Sequence, residues 1–177
     1  MIQTPKVILY IAVSLDGYIA GENDDLSFLD IVGKQGEDYG YNNFLKTVDT
    51  IITGRRTFDW VVNSIGEFPN KNIQYYVISK SVHPEIENVK FYSGNIENLV
   101  LELKNKAGKN IFLEGGSQIV SLFLKYKLID EFIISVIPII IGKGINLYTQ
   151  NYSQIQLELI SSKSFESGLV QVHYKVK

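Results

Sequence analysis

Three short stretches of this chain set glycine, cationic and hydroxyl side chains where hydrophobic runs end, a combination suited to an anion. In Ile52-Thr53-Gly54-Arg55-Arg56-Thr57 an apolar run passes through one glycine to two guanidinium groups. A helix starting there presents free N–H groups and positive partial charge, and arginines at that end oppose its dipole unless an outside anion is held. The alternative is a surface turn with two solvated arginines. In Phe112-Leu113-Glu114-Gly115-Gly116-Ser117-Gln118, consecutive glycines permit an anion approach that any Cβ would obstruct. Tight strand-to-helix packing would explain the same pair. Ile78-Ser79-Lys80-Ser81 adds two hydroxyls and a cation, or is an ordinary polar turn. Neither glycine junction matches a dinucleotide-binding G-x-G-x-x-G or a Walker P-loop.

Other chemistries find little support. His83 precedes Pro84 in an expected loop and His173 falls on the wet face of the last strand, so both read as surface histidines. No nucleophile-elbow, zincin or EF-hand pattern occurs. The chain has no cysteine, which excludes a disulfide scaffold and a thiolate zinc site and fits a reducing cytosol. Seventeen Lys and Arg stand against nineteen Asp and Glu, a formal charge of −2 that carries no nucleic-acid footprint or polybasic membrane patch. The apolar runs Val7 to Val13 and Phe132 to Ile141 are too short to cross a membrane as helices, which takes about 20 residues. The sequon Asn151-Tyr152-Ser153 reads as chance in a protein of this kind.

The elements that must position these residues alternate in period. Val7 to Val13 is a strand covered on both faces. Tyr41, Phe44, Leu45 and Val48 make one helical stripe, and Phe58, Val61, Val62 and Ile65 a second that ends at Gly66. Ile96, Leu99, Val100 and Leu103 make a third, stopped at Gly108; Ile119, Leu122, Phe123 and Tyr126 make a fourth. Strands are expected at Asp49 to Thr53, Ile73 to Ile78, Val89 to Tyr92, Asn110 to Leu113, Ile129 to Ile139, Gln156 to Ser161 and Val170 to Lys177. The last alternates apolar and polar, as an antiparallel strand near a sheet edge does. A length of 177 residues with no linker or repeat implies one domain spanning residues 1–177. The class is α/β: a mixed sheet with helices on both faces.

Ser14-Leu15-Asp16-Gly17-Tyr18-Ile19-Ala20, the stretch DTIITGRRT from Asp49 to Thr57, Glu114-Gly115-Gly116, and LIDEFIISVIPIIIGKGINLY from Leu128 to Tyr148 together resemble the dihydrofolate reductase-like superfamily. The chain is most similar to the reductase domain of riboflavin biosynthesis and its stand-alone bacterial relatives. The resemblance implies a mixed, mainly eight-stranded sheet that binds NADPH. By the same resemblance Gly54, Arg55, Arg56 and Thr57 hold the adenosine side and pyrophosphate, and Ser79 and Lys80 lie near the 2′-phosphate. Gly115, Gly116, Ser117, Gln118 and Ile119 bring a helix N-terminus to the pyrophosphate, while Ala12, Gly17 and Ile19 border the nicotinamide. Asp16 and Glu114 face the substrate, although a turn aspartate bonding its own backbone explains Asp16 equally well. Dihydrofolate reductases carry a tryptophan in the loop after the first strand, whereas the only one here, Trp60, follows Thr57. Their pterin-binding carboxylate sits on the helix before DTIITGRRT, where Asp38 or Glu37 could serve.

The expected activity is hydride transfer from NADPH to a small heterocyclic or imine-bearing substrate, pterin- or pyrimidine-like, with Asp38, Glu114 or Asp16 as the proton source. A non-catalytic nucleotide-binding protein and a flavin-binding reductase are the alternatives. No metal is expected. The hydrophobicity of Phe132 to Ile141 and of the final strand, with the resemblance, points to a homodimer.

Overall fold

The computed structural model describes residues 4–65, 72–81, 83–84, 86–106, 108–149 and 152–177. The expected helix stop at Gly66 and the first residue of the sequon lie outside them, as does the side chain of Ile65. The chain begins with β1 (Val7–Ser14) and the short β2 (Tyr18–Ala20), followed by short, tight helices of one turn at Glu22–Asp24 and two turns at Ser27–Val32. It continues through α1 (Tyr41–Leu45), β3 (Val48–Gly54), α2 (Arg55–Ile65), β4 (Gln74–Ile78), β5 (Val89–Tyr92) and α3 (Ile96–Asn105). Then come β6 (Asn110–Gly115), α4 (Ser117–Lys125), β7 (Glu131–Ile137), β8 (Ile145–Asn146), β9 (Leu157–Ser164) and β10 (Val170–Val176).

Eight strands form one sheet in the order β5-β4-β3-β6-β1-β7-β10-β9, and β2 pairs with β8 in a two-stranded sheet beside it. The first six of the eight run parallel, while β10 is antiparallel to both neighbours. The mixed eight-stranded α/β architecture expected from the sequence is therefore the one observed.

The two faces carry separate cores. Leu9, Leu113 and Ile134 pack under Leu99 and Leu103 of α3 and Val120 and Phe123 of α4. Ile8, Ile51 and Phe112 pack under Phe44 of α1 and Phe58 of α2. Neighbouring residues of β1 enter opposite cores, which is why Val7 to Val13 is almost uninterruptedly apolar. The α3 stripe of Ile96, Leu99, Val100 and Leu103 is buried as expected, and Asn95 caps that helix by accepting a bond from the Asn98 N–H at 3.0 Å.

Several elements depart from the sequence expectation. Helix α1 stops at Leu45, and Val48 opens β3 instead of closing a helical stripe. Helix α4 is rotated by about one position: Val120, Phe123 and Leu124 are its buried residues, and Tyr126 is its exposed C-cap. The expected strand from Ile129 to Ile139 is shorter, Glu131–Ile137, and lies inside the sheet between β1 and β10. Its hydrophobicity is consumed by that position and carries no argument for a second copy. One edge of the sheet is β9, all eight residues of which are exposed, including Leu157 (38%), Leu159 (53%) and Ile160 (46%).

Candidate active site

Adjacent strands β3 and β6 send their chains to opposite faces, β3 into α2 and β6 into α4. In an open α/β sheet, such a switch leaves a crevice beyond the carboxyl ends of the two strands. Here both ends are glycine. A Cβ on Gly54 would lie 2.9 Å from Ile119 Cγ1, 3.5 Å from the Gly115 carbonyl oxygen and 3.7 Å from the Gly116 nitrogen. A Cβ on Gly116 would lie 3.2 Å from Thr57 Oγ1. Gly115 and Gly116 are joined by a cis peptide bond. No side chain caps α4: Gly116 occupies the N-cap, and Ser117 and Gln118 form the first turn. The structure thus brings Gly54, Thr57, Gly115, Gly116, Ser117, Gln118 and Ile119 to one place, with α4 opening on the crevice uncapped.

At the β4 end of the crevice, Arg55 is held from three sides. Its Nε lies 2.6 and 2.7 Å from the two carboxylate oxygens of Asp59, one helical turn on. Its Nη1 reaches both ring nitrogens of His83, Nε2 at 2.9 Å. Its guanidinium lies over the Phe91 ring, 5.5 Å from the centroid. The imidazole of His83 stacks on the same ring at 4.2 Å and meets Ser79 Oγ at 2.7 Å. Arg55 and Ser79 are therefore joined through a histidine that reads as a plain loop residue in the sequence. Arg56 is turned elsewhere and donates to Asp24 Oδ2 at 2.5 Å, and Lys80 is exposed. Arg56 thus pairs away from the Arg55 cluster.

The three candidate carboxylates occupy different environments. Asp16 accepts from Ser14 Oγ at 2.6 Å, the Ile141 N–H at 3.1 Å and the Gly142 N–H at 2.8 Å. It fastens the turn after β1, where Gly17 has φ +87°, to the chain before β8, and these bonds, Ser14's first, hold its carboxyl below the usual range. Close packing repeats nearby, since a Cβ on Gly144 would lie 2.1 Å from the Ala20 carbonyl oxygen. Asp38 is not on a helix. It precedes α1, exposed, and accepts the N–H groups of Gly40 and Asn42 at 2.9 and 3.0 Å, which lower its pKa.

Glu114 differs from both. It lies on β6 between Leu113 and Gly115, on the same face as Phe112, and burial pushes its carboxyl up while a hydrogen bond with Thr53 offsets part of the rise. Tyr41 is pushed up to about 12, first by burial and then by Glu114. Tyr75 is raised for the same reasons in the same order. Around Phe112 stand Phe44, Tyr41 and Tyr10, with ring centroids at 5.1, 6.2 and 6.5 Å. Tyr10 OH donates to the Tyr39 carbonyl and accepts from Gln171 Nε2, both at 3.0 Å. A single carboxyl group thus stands at the crevice end of an aromatic wall. Ala12 continues β1 toward the cluster of Phe28 and Ile137, and Ile19 packs against the α4-side core.

Asp59, Phe91 and Asp24 are not singled out by the sequence, and His83, which reads there as a surface histidine, is instead bonded to Arg55 and Ser79. One signal was available: Arg55 and Asp59 stand at i and i+4, the spacing of a helical ion pair. His173 was also misread, since it bonds Glu131 Oε2 at 2.8 Å while Lys6 Nζ holds Oε1 at 2.6 Å. That cluster lies at the start of β7, the end of the sheet away from the crevice.

With this geometry in view, comparison with known proteins defines the class. The RibD C-terminal domain family matches residues 5–171, and the chain belongs to that family. It is 40% identical over 170 residues to the uncharacterized protein YwjB of Bacillus subtilis (strain 168), covering 96% of this chain and 97% of that one. A candidate riboflavin biosynthesis protein of Shewanella sp. PV-4 superposes with a TM-score of 0.89 at 28% identity, over 97% of this chain and 99% of that one. A pyrimidine reductase-like protein of Corynebacterium diphtheriae shares the fold, with a TM-score of 0.70 at 16% identity over 98% and 92% of the two chains. No helix among the described residues is long and apolar enough to cross a membrane.

Proposed function

We propose that this chain is an NADPH-dependent reductase acting on a small, flat heterocycle or imine. The observation that carries this reading is the meeting of Gly54 with Gly115 and Gly116 at the uncapped start of α4. Side chains there would fill the space, and free N–H groups facing a glycine-lined crevice suit a pyrophosphate. In this reading Arg55 and Ser79 would serve the adenosine end and Glu114 the substrate. When bound, the nicotinamide supplies the hydride. The chain's own part is to orient the two partners and to hold a proton on Glu114, whose burial keeps the carboxyl protonated further up the pH scale than a solvated glutamate.

Titration of the purified protein with NADPH, followed by nicotinamide fluorescence, tests this reading. Saturable binding is expected. Folded protein that binds no NADPH, or that purifies yellow with a flavin, overturns it.

The exposed β9 edge supports a homodimer as part of the same proposal, because an unpaired strand with apolar side chains invites cover. Sedimentation at about the 20.1 kDa chain mass would count against it.

A further inference from the structure

The register of β1 sets Tyr10 on the sheet face that carries Glu114. Ile8 pairs with Phe112 and Leu9 with Leu113, so one position further on Tyr10 stands beside Glu114, its side chain on the Phe112 face. Phe112 and Phe44 are buried, which leaves Tyr10 and Tyr41 as the rings of that wall with accessible surface. The Tyr10 hydroxyl is fixed from two strands away. In the order β1-β7-β10, Gln171 of β10 pairs with Ser135 of β7, and its side chain reaches past that strand. Gln171 Nε2 lies 3.0 Å from Ser135 Oγ, 3.0 Å from the Tyr10 hydroxyl and 3.2 Å from the Tyr39 carbonyl oxygen. A carbonyl offers only lone pairs, so the amide turns its nitrogen, not its oxygen, to this group. Its two hydrogens suffice for Ser135 and Tyr10, and the Tyr10 hydroxyl gives its own to the Tyr39 carbonyl at 3.0 Å. Both ends of this chain are firm. Ser135 is buried in the sheet, and Tyr39 is held in a left-handed turn, φ +55°, that side chains rarely adopt. Its N–H donates to Glu37 Oε1 at 2.8 Å, its hydroxyl bonds the Val32 carbonyl and Ser167 Oγ, and its ring meets Phe165 edge-on at 4.8 Å.

We propose that Gln171 is a positioning residue for the substrate: it holds the Tyr10 hydroxyl, and so sets the Tyr10 ring as the face on which a flat heterocycle stacks beside Glu114. The inference rests on the flat-substrate reading above. Gln171 acts only through Tyr10, because the amide is spent on Ser135 and on that hydroxyl. Without it the phenol keeps one bond, to Tyr39, and the ring can swing about that single point. An offset stack depends on the ring's tilt, so the loss falls on the substrate and leaves the glycine-lined crevice untouched.

The test is fluorescence titration of the intact protein with pterin, a flat fluorescent heterocycle, at saturating NADP+, with NADPH affinity measured separately. Gln171→Met keeps the length of the side chain and removes its donors. Gln171→Met and Tyr10→Phe should each weaken pterin binding by about 3–10-fold, the scale of one neutral hydrogen bond, while NADPH affinity stays within about twofold. The double variant should bind pterin no more weakly than the weaker single, since Tyr10→Phe has already removed the hydroxyl through which Gln171 acts. A glutamine that merely held the fold together would give losses that multiply and would weaken NADPH as well. Unchanged pterin affinity in Gln171→Met, or losses that multiply in the double variant, overturns this inference alone. NADPH binding with no pterin binding overturns the flat-substrate wall and this inference, while the cofactor reading stands. Failure to bind NADPH overturns the cofactor reading and this inference with it.

Discussion

Replacing Gly54 by alanine probes the crevice at its narrowest point. The new methyl would sit 2.9 Å from Ile119 Cγ1, where carbon atoms normally rest at about 3.5–4.0 Å, so roughly 0.6 Å or more must be found. The contacts with Gly115 O and Gly116 N, at 3.5 and 3.7 Å, are ordinary and add little. Ile119 is β-branched and sits in the first turn of a helix, so its χ1 has little freedom to yield. Overpacking of this kind costs about 1–3 kcal/mol. Against it stands a gain of about 0.4–1 kcal/mol, because alanine restricts the unfolded chain and the backbone here needs no left-handed φ. The overpacking wins, leaving about 1–2 kcal/mol of destabilisation. With a urea dependence of about 2 kcal/mol/M, the midpoint should fall by about 0.5–1 M. Ile119→Ala removes the atom that is struck, so the double variant should be more stable than the sum of the singles by about 1 kcal/mol or more. A Gly54→Ala protein with an undiminished midpoint, or two substitutions that simply add, would refute the claim that these elements touch where the glycine allows it.

Glu131 is nearly buried, and although burial pushes its carboxyl up, the hydrogen bonds from Lys6 and His173 outweigh that and leave its pKa lowered. A depressed carboxylate stabilises the fold above its unfolded pKa and loses that contribution as pH falls through its folded pKa. Glu131→Gln should therefore cost about 1–3 kcal/mol at neutral pH in urea melts and progressively less in acid. Glu114 has the opposite sign, because a raised carboxyl costs stability as pH climbs above its unfolded value. Glu114→Gln should gain on the wild type as pH rises from about 4 through neutrality, yet slow hydride transfer by about 10²–10⁴ while NADPH affinity stays within a few-fold. A wild-type transfer rate at every pH would remove Glu114 as the proton source. Asp16→Asn weakens the acceptor for the Ile141 and Gly142 N–H groups, so hydrogen exchange at those two amides should quicken by about tenfold or more.

What could be read from the sequence was whatever local periodicity determines. The run Val7 to Val13 fixed a central strand because both of its faces are covered, and α3 showed its stripe because one face alone meets the core. In α4 the same reasoning slipped by one position. Ile119 packs against the core only in part, and its Cγ1 also closes on Gly54, an approach between residues 65 apart in the chain that no window of sequence contains. The hydrophobicity of β7 is equally that of an interior strand and a covered edge, and only the sheet order separates the two. The glycines of the crevice were visible as types, Gly54 and Gly115-Gly116, while their mutual approach was not. His83 and Phe91 lay furthest out of reach, since the guanidinium of Arg55 joins them from another strand end.

The three carboxylates show why residue type alone could not rank the proton sources. Each lies near a loop or strand end, and each was a defensible candidate by position. Hydrogen bonding separates them. Asp38 takes two backbone N–H groups at the start of α1, and Asp16 takes a hydroxyl and two backbone N–H groups across a loop junction. Such bonds favour the ionised form, so both side chains are held away from the protonated state an acid must occupy. Glu114 faces rings whose edges cannot replace lost water, with the Thr53 hydroxyl as a partial compensation. Burial thus pushes that carboxyl toward its protonated form, the opposite direction to Asp16 and Asp38. In the proposed function, the same aromatic wall would receive a flat substrate and favour the protonated form of Glu114, so one feature of the fold would serve both ends.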